Sequence, residues 1–230
     1  MSNIVKNNYI NKSWFYLLDD NSPSVIDVMP GVYWVFFTKN TTKPFTINLE
    51  ENSKVDFYGY FSDFSSKKIL FNQMYENSIL NVKTMYFCNK NELSTNIKSY
   101  TSTNNSKSNI QIINIIKDNK LNIDSSIEIE KDSKNVEGHL SQNNIFISDK
   151  WSVRWLPKLF VRSDDIKASH SCKMQSINQD ELFYLTSRWL DKTTSTKILT
   201  QSYFNNIFSC ISMYDKKIYD ELFLDFSDNI

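Results

Sequence analysis

Short runs of β-branched and aromatic residues alternate with polar clusters along the first two thirds of the chain. VYWVFFT, KVDFYGYF, NIQIINII and LNIDSSIEIE are four of these runs. They recur at roughly 10 to 14 residues, the regular spacing of an all-β domain. In the last run Leu121, Ile123, Ile127 and Ile129 share one parity, which indicates one buried and one solvated face. The pattern therefore predicts many short strands without helical crossovers.

Three all-β architectures fit this spacing: a sandwich, a barrel, and a β-helix in which successive turns stack. No strict residue repeat selects one of them. The hairpin dipeptides Asn-Gly and Asp-Gly are absent from the sequence. Their absence argues against a meander of two-residue turns and favours stacked turns with broader corners.

The pattern changes to a helical period after Met174. Asn178 followed by Glu181 resembles a capping box and predicts the start of a helix. One face of this helix would carry Leu182, Leu185 and Trp189. The C-terminal region is therefore predicted to be helical.

Two further helices are predicted after the first. Asp191 can cap the second helix, and Ile218, Leu222 and Phe226 repeat at four-residue intervals on the third. The broad apolar stripe of the second helix consists of Leu199, Tyr203, Phe204, Ile207, Phe208 and Ile211. We expect these helices to pack against the β-domain or against a partner.

Composition narrows the functional classes. With 40% apolar and 23% charged residues, the 230-residue chain has the profile of a globular protein. It carries 26 basic and 26 acidic side chains, so no basic field favours nucleic acid as a partner. The apolar runs are far too short to span a membrane. The N-terminal sequence lacks the pattern of a secretory signal, from which we expect a cytoplasmic protein.

Asparagine is expected to form many of the turns. The chain has only three glycines and four prolines. It has 27 asparagines, which tolerate the left-handed backbone region and close Asx-turns. The three cysteines, Cys88, Cys172 and Cys210, are an odd and widely spaced set, from which we expect reduced thiols.

The candidate chemistry lies around one histidine. The sequence has no Gly-rich phosphate loop, no C-x-x-C pair and no H-E-x-x-H motif. Residues 163–173 are predicted to be extended, so His170 and Cys172 would project from the same face. Such a pair can ligate a soft metal, but a second chain would have to supply the remaining ligands. Asp164 and Asp165 are expected in a turn. Taken alone, His139 and His170 would each be an ordinary surface or core histidine.

Residues 141–189 resemble the SufB/SufD family, the scaffold proteins of iron–sulfur cluster assembly. In that family a strand of the type LLLS-x-x-A precedes P-x-L-E-I, then DDV-K-x-SHGAT-x-G and LDEEQLFYLxSRG. This chain has IFIS, PKLFV, DDIKASHS and INQDELFYLTSRW in the same order. The Ser169–His170 pair is more similar to SufD than to SufB, whose block usually reads HEAT.

The resemblance implies a right-handed parallel β-helix core of residues 1–176 followed by a small helical region of residues 177–230. Residues 1–24 are expected to be irregular or helical. It also implies a non-enzymatic scaffold that pairs with SufB and binds the ATPase SufC in the cytoplasm. ATP hydrolysis is then expected in SufC, and a homodimer is expected if SufB is absent.

The resemblance also assigns candidate site residues. His170 would lie at the SufB–SufD interface and help to hold a nascent iron–sulfur cluster opposite a SufB cysteine. The cluster would be transient and shared with the partner chain, and this chain alone would bind none stably. Ser169, Phe183, Tyr184 and Arg188 are the predicted partner-binding residues.

The sequence departs from the family pattern at Ser171, Cys172, Gln175 and Trp189, where the family has glycine, alanine, glycine and glycine. Cys172 is thus an extra thiol and a candidate second cluster ligand. Trp189 replaces a helix C-cap glycine, so the end of that helix is expected to differ. The chain is also shorter than typical SufD proteins.

Two other functions remain open at this point. A β-helix that binds or cleaves polysaccharide could use its aromatic side chains and paired carboxylates in a groove. A purely structural partner could stabilise SufB without contacting the cluster.

Overall fold

Successive strands enter two parallel sheets in alternation, and helices follow them. The computed structural model describes residues 3–4, 9–10, 14–63, 68–148 and 151–230. Within these residues one sheet has eight strands, in the order β1-β3-β5-β7-β9-β11-β13-β15, and the other has seven, in the order β14-β12-β10-β8-β6-β4-β2. The strands are β1 (Asn3–Ile4), β2 (Tyr9–Ile10), β3 (Trp14–Leu18), β4 (Val25–Val28), β5 (Tyr33–Lys39), β6 (Phe45–Leu49), β7 (Lys54–Ser62), β8 (Lys68–Gln73), β9 (Ile79–Cys88), β10 (Leu93–Thr101), β11 (Lys107–Ile116), β12 (Asn119–Ile129), β13 (Val136–Phe146), β14 (Trp151–Val161) and β15 (Ile166–Ser176).

This strand order is that of a parallel β-helix. Each turn contributes one strand to each sheet, and that strand pairs in parallel with the equivalent strand of the next turn. The separation between paired residues grows along the chain, from 20 positions between Trp14 and Trp34 to 30 between Gly138 and Ala168. The growing turn length explains why the sequence shows no strict repeat. The β-helix is confirmed, and the sandwich and barrel alternatives are wrong.

Alternate side chains of every turn point into a continuous core between the two sheets. The alternating residues of β12 follow the prediction, since Leu121, Ile123, Ile127 and Ile129 are all at most 3% exposed. Neighbouring turns supply large apolar side chains such as Trp34, which is fully buried. Stacking of buried side chains in register therefore gives the β-helix one continuous core.

Asparagine forms many of the corners, as predicted. Asn52, Asn77, Asn105 and Asn135 have φ between 52° and 59°, the left-handed region that Asn tolerates better than other non-glycine residues. Their side chains stack across turns: Asn77 Nδ2 donates to Asn52 Oδ1 at 3.0 Å, and Asn135 Nδ2 donates to Asn105 Oδ1 at 2.9 Å. The corners are thus held by amide ladders.

The C-terminal helices begin at the predicted caps. They are α1 (Gln179–Thr186), α2 (Lys192–Phe208), α3 (Ile211–Tyr214) and α4 (Lys216–Asn229). Asn178 Oδ1 accepts from the N–H of Asp180 at 2.9 Å, and Asp191 Oδ1 accepts from the N–H of Thr194 at 2.9 Å. Two expectations are wrong in detail: Ile211 belongs to the separate helix α3, and Trp189 lies beyond the end of α1.

The helices pack on the outer face of the eight-stranded sheet through aromatic rings. Tyr60 of β7 contacts Phe204, Phe208 and Phe226 with ring centroids 6.0–6.2 Å apart. Phe87 of β9 contacts Phe226 at 5.8 Å. This second core reaches the last strand of the sheet, where Gln175 Nε2 of β15 donates to Tyr203 Oη of α2 at 3.5 Å. Within residues 1–24, the structure describes three short strands, β1, β2 and β3. Residues 1–2, 5–8 and 11–13 lie outside the described residues.

Candidate functional site

The C-terminal end of the β-helix is open. Among the residues that the structure describes, β15 is the last strand of the eight-stranded sheet and β14 the last strand of the seven-stranded sheet, so one edge of each has no paired strand. None of the eleven residues of β15 is buried, whereas β13, its neighbour, buries every other residue along most of its length. Such an edge presents unpaired backbone groups that another strand can pair with.

His170 closes a column of apolar side chains that runs through the eight-stranded sheet. The residues in register on successive strands are Phe36, Phe57, Val82, Ile110, Leu140 and His170. The first five are at most 2% exposed, and His170 is exposed. An imidazole therefore stands at the open end, on the face that is apolar in every earlier turn of this column.

Cys172 lies on the same face, two residues further along β15. The spacing of a strand puts its Cα about 6.6 Å from that of His170. It pairs in register with Gln142, which is 2% exposed and also points inward. The predicted juxtaposition of imidazole and thiol on one face is thus found in the structure.

A cluster of carboxamides lies in the core directly behind Cys172. Asn144 Oδ1 accepts from Asn114 Nδ2 at 2.8 Å and from Gln142 Nε2 at 3.1 Å. Asn144 Nδ2 donates to Cys172 Sγ at 3.4 Å. Burial raises the pKa of the Cys172 thiol, and the hydrogen bond from Asn144 opposes this effect. An N–H directed at the sulfur is an arrangement that stabilises a thiolate or a metal-bound sulfur.

The described residues do not form a complete metal site. Among them, no group of three or more His, Cys, Asp or Glu side chains is placed to hold a metal ion. His170 and Cys172 are two ligands, and an iron–sulfur cluster requires more than these. Ligands from a second chain could enter at the open end, where both side chains are accessible.

Ser169 and the aspartate pair have other surroundings. Ser169 is on the outer face, and its Oγ lies 2.7 Å from Nδ1 of His139 on the preceding turn. Asp164 and Asp165 lie in the bend between β14 and β15, as predicted, and Asp165 Oδ2 accepts from the N–H of Asn135 at 3.2 Å. None of these three side chains shares a face of β15 with His170.

A second surface is formed by α1 and the residues that follow it. Phe183 is 73% exposed and Tyr184 is 53% exposed. The Arg188 guanidinium lies 4.4 Å from the centroid of the Tyr184 ring, in a cation–π contact. Trp189 is 98% exposed and has φ 68°. Three predicted partner-binding residues are therefore exposed on or just after α1, and two of them, Tyr184 and Arg188, are in contact.

The three cysteines are free, as expected. Cys88 is fully buried, and burial raises its pKa to about 12. Cys172 is the only one of the three on the strand at the open end. In the part of the chain that the structure describes, no helix has the length and apolarity needed to span a lipid bilayer.

Sequence reasoning missed Asn144 and the carboxamide cluster. Asn143 and Asn144 are one residue apart in a run of polar side chains, and only the register shows that Asn144 faces Cys172. A spacing of 30 between Asn114 and Asn144 was the signal in the sequence, because 30 is the length of that turn. It becomes readable once the strand pairing is known.

Comparison with known proteins gives a family match and several distant relatives. The model of the family described as "SUF system FeS cluster assembly, SufBD core domain" matches residues 40–203. An iron-sulfur cluster assembly SufBD family protein of Pyrococcus horikoshii is 30% identical over 76 residues, which are 33% of this chain and 17% of the relative. The iron-sulfur cluster assembly protein SufD of Escherichia coli is 23% identical over 77 residues, 34% of this chain and 18% of the relative.

A plant relative is similar over a segment of about the same length. The chloroplastic protein ABCI7 of Arabidopsis thaliana is 22% identical over 80 residues, 35% of this chain and 17% of the relative. The chain therefore aligns with less than a fifth of the length of each of these three relatives.

Proposed function

The chain belongs to the SufB/SufD family of the SUF system of iron–sulfur cluster assembly, and from that premise we propose that it is a SufD-like scaffold subunit. In this proposal it pairs with a SufB-like protein through the open end of the β-helix. It carries out no catalysis of its own, and ATP hydrolysis takes place in a SufC-like partner.

The observation that carries this proposal is the position of His170. A column of five buried apolar residues ends in an accessible imidazole at an unpaired sheet edge. A histidine exposed to solvent there contributes nothing to the core, whereas it would be enclosed once a partner strand added to β15. Imidazole nitrogen is a ligand for iron, as in the His-ligated iron of Rieske centres.

The iron–sulfur cluster is the cargo of the complex in this proposal. His170 would be one ligand and Cys172 a second, with the remaining ligands coming from the SufB-like chain. The hydrogen bond from Asn144 Nδ2 to Cys172 Sγ supports this role, because hydrogen bonds to sulfur adjust the redox potential of such clusters. This chain alone would hold no cluster stably.

The exposed surface of Phe183, Tyr184 and Arg188 is proposed to bind the SufC-like partner. Tyrosine, tryptophan and arginine are the residues that most often dominate binding energy at protein interfaces. Trp189, which directly follows Arg188 and is 98% exposed, is proposed to contribute to the same binding surface. The three reduced cysteines support a reducing compartment, for which we propose the cytoplasm.

Co-purification tests the assembly. The tagged chain would be co-expressed with the SufB-like and SufC-like proteins of its own genome, and the ratio of co-eluting proteins measured. We expect both partners in stoichiometric amounts, and Phe183→Ala with Arg188→Ala should remove the SufC-like protein selectively. Recovery of neither partner by a folded chain would contradict the proposal.

Cluster content tests the ligand role. Complexes carrying His170→Ala would be reconstituted anaerobically beside His139→Ala, the other histidine, which lies on the outer face. We expect iron and sulfide per complex to fall for His170→Ala and to stay unchanged for His139→Ala. Equal cluster content in the wild type and His170→Ala would contradict the ligand role. The remaining interpretation would be that the chain is a structural partner of the SufB-like protein and does not contact the cluster.

No observation favours polysaccharide as a ligand. Trp34, Tyr60 and Tyr86 are buried in the two cores, and the described pocket that Trp14, Tyr33 and Tyr214 line contains no carboxylate in its lining. The paired carboxylates Asp164 and Asp165 lie in a bend between strands.

A further inference from the structure

The charged side chains on the two strands at the open end are all cations. β14 and β15 contain no Asp or Glu, although acidic and basic residues are equal in number over the whole chain. Arg162, directly after β14, is basic too. We call this set the basic edge; it consists of Arg154, Lys158, Arg162, Lys167 and Lys173. The nearest carboxylates in sequence, Asp164 and Asp165, belong to the bend between the two strands.

The basic edge is the last step of a charge pattern that alternates from turn to turn. On the eight-stranded sheet, Glu137 of β13 lies between Lys107 of β11, at 3.0 Å, and Lys167 of β15, at 3.8 Å. Each turn in this series therefore neutralises the one before it. The series ends at the cation Lys167, because β15 is the last strand of the sheet among the described residues.

The seven-stranded sheet ends in the same way. Lys158 Nζ of β14 lies 2.9 Å from Asp124 Oδ1 of β12, and Arg162 pairs with Glu130 at the end of β12. Arg154 and Lys173 have no ion-pair partner among the described residues. Both sheets thus present cations to whatever strand is added next.

From this pattern we infer that the open end is built to receive a different chain whose sheet edge is lined with Asp and Glu, and not a second copy of this chain. The inference rests on the proposed function, because it specifies the partner of the same surface. Opposite charges on paired strands are stabilising and like charges are destabilising. A second copy would place cation against cation in either strand direction, since neither β14 nor β15 contains a carboxylate.

The backbone favours β15 as the strand to which the partner adds. β14 contains Pro157, which has no N–H to donate, and proline on an edge strand is a common obstacle to strand addition. β15 has no proline along its eleven residues. The partner strand would then lie beside His170, with its carboxylates close to Lys167 and Lys173.

A charge-reversed form of the chain tests the inference without any other protein. The edge-reversed variant carries Arg154→Glu, Lys158→Glu, Lys173→Glu and Asp124→Lys, the last of which keeps the ion pair to position 158 with its polarity exchanged. The control carries Lys68→Glu, Lys90→Glu and Lys216→Glu, three exposed lysines that lie outside β14, β15 and the bend between them. Circular dichroism and a thermal melt would establish that both variants fold.

Association would be measured by analytical ultracentrifugation with a labelled wild-type chain at low and high salt. We expect the wild type to bind the edge-reversed variant at least about tenfold more tightly than it binds itself or the control, with the difference lost at high salt. Self-association of the wild type as tight as the mixed pair, or a mixed pair insensitive to salt, would overturn the inference.

Binding to the SufB-like protein separates this inference from the proposed function. We expect the edge-reversed variant to lose binding and the control to keep it. Equal binding by the wild type and the edge-reversed variant would overturn the acidic-edge inference and leave the proposed pairing intact. A salt-sensitive mixed pair with no binding of the SufB-like protein by any form would support the acidic edge and contradict the proposed function.

Discussion

Truncation of Phe204 should test whether the helices and the β-helix form one cooperative unit. Phe204 is fully buried, and its ring lies 4.8 Å from Phe226, 4.9 Å from Phe208 and 6.2 Å from Tyr60. Removing a buried phenylalanine side chain costs about 3–5 kcal/mol. The aromatic contacts on several sides place Phe204→Ala toward the upper end of this range. Domains are stable by about 5–15 kcal/mol, so the loss is a large fraction of the total.

The assay is urea denaturation followed by far-ultraviolet circular dichroism and by tryptophan fluorescence. Trp34 is buried in the core of the β-helix, so its fluorescence reports on the β-helix, whereas Phe204 belongs to the helical region. We expect both signals to shift together to lower urea. Phe183→Ala, at a 73% exposed position, is the matched control and should change the free energy of unfolding by less than about 0.5 kcal/mol. A loss below about 1 kcal/mol for Phe204→Ala would refute the assignment of this ring to a shared core.

Three further predictions concern the thiols, a helix cap and an ion pair. Burial raises the pKa of the Cys172 and Cys88 thiols. Cys172 should therefore be alkylated slowly at neutral pH and faster as pH rises, and Cys88 should not be alkylated in the folded chain. Mass spectrometry that found Cys88 modified before Cys172 would contradict this. Asn178→Ala should cost about 1 kcal/mol in urea denaturation and Asn178→Asp almost nothing, because only the first removes the cap acceptor. The hydrogen bond from Lys107 lowers the pKa of the Glu137 carboxyl, so the ionised carboxylate stabilises the fold above its unfolded pKa, and this stabilisation is lost as pH falls through the folded pKa. Glu137→Gln should therefore be less stable than the wild type near neutral pH and equally stable in acid. A stability difference that does not change with pH would exclude this cause.

The strand pattern was readable from the sequence where the inward residues are apolar. β12 is the clearest case, because its inward positions include Leu121 and Ile127. β10 was missed because its inward residues Thr95, Ser99 and Thr101 are polar. These hydroxyls are hydrogen-bonded inside the core, as in the 2.7 Å hydrogen bond from Ser108 Oγ of β11 to Ser99 Oγ of β10. A rule of alternating hydrophobicity does not detect a strand in which several inward positions carry hydroxyl side chains.

The candidate site was predictable within one strand and unpredictable between strands. Parity alone put His170 and Cys172 on one face of β15. The column from Phe36 to His170 and the contact from Asn144 to Cys172 depend on the register, which changes because the turns lengthen along the chain. The absence of carboxylates from β14 and β15 was visible in the sequence, but its meaning required knowing that these two strands are unpaired edges.

Trp189 offers a last test, in which stability and binding are expected to change in opposite directions. Its φ of 68° lies in the left-handed region, at a position where the resemblance places a glycine. The backbone after α1 therefore adopts the left-handed conformation that a glycine would favour. The side chain of Trp189 makes this conformation less favourable in energy. This cost is roughly 1–2 kcal/mol for a residue with a Cβ, while glycine loses about 0.5–1 kcal/mol more backbone entropy on folding.

Trp189→Gly should consequently raise the free energy of unfolding by about 0.5–1 kcal/mol, because a side chain 98% exposed gives up no packing. Trp189→Ala keeps the Cβ and the strained φ, so it should show no gain in the same urea denaturation. Equal stability of the two variants would mean that the backbone at this position is not strained. If the exposed indole binds the SufC-like partner, both variants should weaken that complex, and Trp189→Gly would then be the more stable chain and the poorer scaffold. Strain retained at an exposed aromatic residue is the pattern expected where a surface is selected for binding and not for stability.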